Sequence, residues 1–158
     1  MHERAPELPD HEVRRCLRQG WSIDAAVAYA AVGFGSHHWV ATAGDERWFV
    51  TVDDLLGKPM LGDGAGVVYG SLSLMHLTAR DLRDDGLEFV VAPLLLHHSW
   101  SPAADMCTVN LENRWAMSVS PYVEGTTWGF SDTLPDAQRN ELVELLARLH
   151  AAEVPDIE

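Results

Sequence analysis

Lysine is almost absent from this chain. Of eleven basic residues only Lys58 is a lysine, so any chemistry that needs an ammonium has one candidate. Positive charge is scarce altogether: 24 Asp and Glu face 11 Lys and Arg, for a formal net charge of -13. That balance excludes nucleic acid and anionic membrane surfaces as partners, because a polyphosphate surface is repelled. A nucleotide that arrives with magnesium and is held by local backbone donors is not excluded. The two cysteines, Cys16 and Cys107, allow one disulfide but do not form the framework of a secreted scaffold. No apolar run approaches the roughly 20 residues of a membrane span, and the polar, acidic residues 1–7 do not read as a signal peptide. A cytoplasmic protein is expected. His-Glu-x-x-His is missing, and no Gly-x-Ser-x-Gly elbow surrounds Ser99 or Ser101. A metal-dependent hydrolase built on the pairs His37-His38 and His97-His98 is therefore the weakest of the readings, since neighbouring histidines on a strand point to opposite faces.

What is present reads as one globular domain, 1–158. Hydrophobic residues make up 47%, enough for a core of ordinary size. Asp10 is placed to cap a first helix over 11–18, ended by Gly20. Strands are expected over 25–34, 37–42 and 47–52, joined by Gly33-Phe34-Gly35-Ser36 and by Ala43-Gly44-Asp45-Glu46 as hairpin turns. The Gly-rich stretch 57–70 reads as loop in its first half, then a helix follows over 72–83. A fourth strand is expected over 87–92 and a fifth over 115–123, with 94–109 ambiguous. A last helix over 135–152 carries the apolar stripe Leu142, Leu145, Leu146 and Leu149. Trp39, Trp48 and Trp115 fall on strands as core residues, whereas Trp21, Trp100 and Trp128 fall near turns, where they could line a groove. The order predicts an α+β domain with a five-stranded antiparallel sheet, one packed helix, and a helix at each end.

The segment Val32-Gly33-Phe34-Gly35-Ser36-His37-His38-Trp39 carries the functional argument. Glycines in a turn between antiparallel strands let backbone N–H groups approach a ligand, and successive amides form an anion site. Followed by Arg47-Trp48-Phe49-Val50-Thr51-Val52-Asp53-Asp54-Leu55, this segment resembles the N-terminal lobe of the aminoglycoside phosphotransferase family, whose fold is kinase-like. Three further segments resemble that lobe in order. Gly86-Leu87-Glu88-Phe89-Val90-Val91-Ala92-Pro93 is similar to the strand after its helix. The run 116–125 is similar to the strand and hinge that contact adenine, and 142–150 to the helix after the hinge.

The resemblance implies an ATP-binding lobe. Its nucleotide contacts would be Gly33, Phe34, Gly35, Ser36 and His37 at the phosphates, Thr51 on the third strand, and Ser120, Tyr122 and Val123 at the base. Thr51 stands where the family carries its phosphate-binding lysine, and the expected helix offers no glutamate partner. Lys58, several residues further on, reads as a solvated surface lysine. None of the eight histidines is followed two residues later by aspartate, so the family's catalytic His-x-Asp is missing, and with it the magnesium-holding half. The expectation is a truncated, nucleotide-binding lobe of a small-molecule phosphotransferase, inactive alone. The alternative is a non-catalytic module without a nucleotide site. Either way the face that would meet a second lobe is expected to be covered by a partner or a second copy.

Overall fold

The computed structural model describes residues 8–33, 35–97, 106–126 and 132–152. Helix α1 (Asp10–Trp21) is followed by a meander of β1 (Ala26–Ala30), β2 (Ser36–Ala43) and β3 (Glu46–Asp54). Two 3-10 turns, 55–57 and 59–61, lead into α2 (Ala65–Asp84). Strands β4 (Thr108–Leu111) and β5 (Trp115–Pro121) complete the sheet before α3 (Asp136–His150). All five strands are antiparallel, in the order β1-β2-β3-β5-β4. The α+β architecture expected from the sequence is the observed one.

Val13, Cys16, Leu17, Gly20 and Trp21 are the buried residues of α1, at the spacing of one helical face. They pack on the strand residues Trp39, Ala41, Val50, Val52, Met117 and Val119, which form the main core. A fully buried leucine or valine there contributes about 1.5–3 kcal/mol. Asp10 does not cap α1: Pro9 holds the cap position, and the Asp10 carboxylate accepts from Trp39 Nε1 at 2.9 Å. The helix is thus tied to the sheet through its first residue. Gly20 lies inside the helix, where a Cβ would come 3.1 Å from Leu96. Its carbonyl accepts from His97 N at 2.7 Å, so the residue admits the passing chain and does not end the helix. Both cysteines are free and buried, and burial pushes the Cys16 thiol upward.

The predicted strand over 87–92 is not a strand. Residues 87–90 close the end of α2, with Leu87 N donating to Leu82 O and Arg83 donating to the carbonyls of Glu88 and Val90. Residues 94–97 then run as a strap over the core, bonded in turn to Val119 O, Met106 O and Gly20 O. Trp21, expected to line a groove, is buried, and its indole donates to Leu94 O at 3.1 Å. The fourth strand is Thr108–Leu111, joined to β5 by a tight turn in which Glu112 and Asn113 both have positive φ. That turn lacks the glycine that usually marks it.

Helix α2 begins seven residues earlier than the periodicity predicts, through Gly66 and Gly70. Val68 and Leu72 pack with Leu55 and Ala116 in a second cluster, which overrides the low helix propensity of glycine. Helix α3 buries none of its residues: Leu142, Val143 and Leu146 are exposed, and Arg148 sits over the Phe89 ring. No helix among the described residues is long and apolar enough to cross a membrane.

Candidate functional site

Alternation along the strands gives the sheet two different faces. On β2, His37, Trp39 and Ala41 turn toward the α1 core, while Ser36, His38 and Val40 turn the other way. On that second face an open cleft of about 450 Å³ lies between the first hairpin and the segment after β5. The volume falls within the roughly 300–1,000 Å³ of small-molecule sites. Ala30, Val32, Val40 and Phe49 form its apolar walls, and Ser120, Tyr122 and Val123 form the edge. Val32 and Val123 stay largely exposed at the lips. Arg47 holds the edge segment in place: its guanidinium lies 3.7 Å from the Tyr122 ring centroid, it pairs with Glu124, and its carbonyl accepts from Tyr122 N.

At one end of the hairpin sits the glycine turn. Gly33 and Gly35 have φ of 74° and 72°, a conformation that other residues adopt only with strain. A Cβ on Gly33 would also come 3.1 Å from His38 Nε2. Phe34 lies outside the described residues.

Beneath the turn is a polar cluster that the sequence did not reveal. Asp53, on β3, is buried. Its Oδ1 accepts from Ser36 Oγ at 2.5 Å and pairs with Lys58 Nζ at 2.8 Å, and Lys58 also donates to Ser36 Oγ at 3.3 Å. Lys58 is therefore not a solvated surface lysine; its side chain is only 17% exposed. Local geometry folds it back. The Asp54 carboxylate caps the first 3-10 turn by accepting from Leu56 N, and Pro59 starts the second, so Lys58 stands at the joint between them.

The remaining predicted residues separate. Ser120, Tyr122 and Val123 are gathered at the cleft edge, and Ser36 joins the cluster. Thr51 faces the same side, where its hydroxyl meets His38 Nδ1 at 3.3 Å. The His37 side chain does not reach this face. It is buried on the other one, 3.3 Å from Tyr29 OH and against Trp115. His38, not among the expected nucleotide contacts, is the one on the cleft side, stacked on Phe49 at 4.9 Å. Burial holds its pKa below the usual histidine value, against a weaker opposing pull from Asp53. His76 of α2 is held low by burial in the same way, and its Nδ1 lies 2.7 Å from Thr108 Oγ1. Strand parity, readable in advance, distinguishes His38 from His37; no sequence signal announces the return of Lys58.

Among the described residues no three His, Cys, Asp or Glu side chains come together as a metal centre. His98, Ser99, Trp100, Ser101 and Trp128 lie outside those residues.

The chain is similar in fold to a spectinomycin phosphotransferase. The match is to the crystal structure of APH(9)-Ia in complex with ADP and spectinomycin, with a TM-score of 0.67 and 17% sequence identity. It covers 96% of this chain and 40% of that one, so the chain spans less than half the length of the phosphotransferase it resembles. At that identity the likeness establishes the fold, which is the kinase-like lobe that the sequence segments resemble. No family model and no curated protein matches the sequence.

Proposed function

We propose that this chain is the nucleotide-binding lobe of an ATP-dependent small-molecule phosphotransferase. The observation that carries the reading is an open apolar cleft whose wall residue Val32 leads directly into the glycine turn, with the Lys58 ammonium beside Gly35. The cleft walls suit a planar base, and the exposed turn suits phosphate oxygens. The fold likeness to a phosphotransferase crystallised with ADP supports the same assignment. Ser120, Tyr122 and Val123 would flank the base, and Gly33, Gly35 and Ser36 the phosphates. Bound ATP would supply the transferable phosphoryl group. In this chemistry positioning and charge stabilisation supply most of the catalysis, and this sequence has no His-x-Asp to position an acceptor. The isolated chain therefore binds nucleotide, in the cytoplasm, and turns none over.

Titrating Mg-ATP while following tryptophan fluorescence or melting temperature tests the reading. A saturable shift that disappears in Gly35→Val supports it, because valine resists the positive φ of the turn. No shift at millimolar ATP, a concentration at which even weak nucleotide sites fill, overturns it.

A second reading rests on a separate observation. Leu142, Val143 and Leu146 on α3 and Met60, Val67 and Met75 around α2 are exposed apolar side chains. In that reading the chain is a docking module, covered by a second copy or another lobe and without a nucleotide site. Sedimentation over a concentration series distinguishes it: a dimer that ignores ATP is its signature.

A further inference from the structure

We propose that Lys58 is the cation that holds the nucleotide's phosphate beneath the glycine turn, in place of a strand lysine, with Asp53 and Ser36 as its positioning residues. The inference rests on the nucleotide reading above and names the cation that site would use.

The geometry supports it at three points. First, Lys58 Nζ lies 3.9 Å from where Gly35 would carry a Cβ, so the ammonium borders the space that the glycine leaves open. Second, the pair is asymmetric: the Asp53 side chain is 7% exposed and that of Lys58 17%. An anion entering beside the turn meets the ammonium before the carboxylate. Third, an ammonium has three donors. Asp53 and Ser36 engage two of them, fixing the group while leaving one for a ligand. Ser36 accepts from Lys58 and donates to Asp53, so the three groups close a triangle.

The strand position offers no competing charge. Thr51 is neutral, and its hydroxyl is taken up with His38. Stability alone accounts poorly for the Lys58–Asp53 pair, because a buried ion pair usually adds little over apolar side chains of the same volume. Both partners come from the segment 53–58. The charge pair is therefore closed locally and does not require α2 to supply a carboxylate.

The test compares adenosine with ADP on the purified full chain. The variants are Lys58→Met and the double variant Lys58→Met/Asp53→Asn, which leaves no unpaired buried charge should the single variant fold poorly. In both, ADP affinity is expected to fall about tenfold or more, as for loss of a charged hydrogen bond, while adenosine affinity stays unchanged. If the wild type binds ADP and the folded double variant binds it equally well, the assignment of Lys58 is overturned and the nucleotide reading stands. If adenosine affinity falls in parallel, Lys58 shapes the cleft and does not hold phosphate, which also overturns it. If the wild type binds neither ligand, the nucleotide reading itself fails and takes this inference with it.

Discussion

On one face of the sheet, Trp39, Ala41, Val50, Val52, Met117 and Val119 are wholly shut away from solvent under α1. On the other, the alternate residues of the same strands, Val40, Phe49 and Ser120, stay only partly covered and line an open cleft. Neighbouring side chains therefore have opposite duties. His37 is packed among aromatic rings, while His38, one residue on, stands beside the cleft. The difference shows where a small lobe places its stability and where it keeps space. One face is closed by a helix tied in at Asp10. Among the described residues the other is covered at the α2 end, by a helix containing two glycines, and holds a buried charge pair.

The largest expected effect attacks the closed face. Trp39→Ala removes a fully buried ring and its bond to Asp10, and should cost about 3–5 kcal/mol in urea unfolding. Val40→Ala, half-buried on the open face, should cost a fraction of that; equal losses would erase the distinction between the faces.

Next in size is Asp53→Ala. It strands Lys58 and should destabilise by up to about 3–5 kcal/mol, the loss when one partner of a buried pair is removed. The remaining exposure of Lys58 places the expected value toward the low end. The double variant Lys58→Met/Asp53→Asn should recover much of the loss in the same melts. A double variant as unstable as Asp53→Ala would show that the pair itself, not the unpaired charge, holds this face.

Third is a pH effect confined to the open face and its helix. Burial keeps His38 and His76 below their ordinary value of 6.5. The unfolded chain therefore takes up protons as pH falls through 6.5, before the folded chain does. Their contribution to stability is complete above that value and declines as pH drops toward the folded pKa values. The melting temperature should fall between about pH 7.5 and about pH 5.5, and His38→Gln/His76→Gln should flatten the slope. An unchanged slope would mean that neither histidine is held neutral by the fold.

The smallest effect is a gain. Nothing lies within 4 Å of a Cβ built at Gly66 or Gly70. Gly66→Ala and Gly70→Ala should each stabilise by about 0.5–1 kcal/mol. A loss in either would reveal a contact that α2 makes with something outside the described residues.

The elements that the sequence made legible are those with a strict local signature. The hairpins at 33–36 and 43–46 and strand β5 carry their turn glycines or their period within a few residues. The misplaced strand is instructive. Residues 87–92 have the apolar, β-branched composition of a strand, yet they close α2 and feed the strap, because the sheet edge they would occupy pairs with 108–111 instead. At the site, the glycine turn and the cleft edge were legible. Lys58 was not, because its position depends on an Asp54 cap and a second 3-10 turn that set the joint between them beside Asp53 and Ser36.

The sequence by itself determined that this chain forms an antiparallel α+β domain with a glycine turn between its first strands, and that it has one lysine to place. Those properties follow from periodicity, turn chemistry and composition, which are local. Only the tertiary structure decided that this lysine folds back beneath the turn onto Asp53, and that His38 rather than His37 stands beside the cleft. Both depend on which face each strand presents to α1, and that is set by core packing between residues distant in the chain.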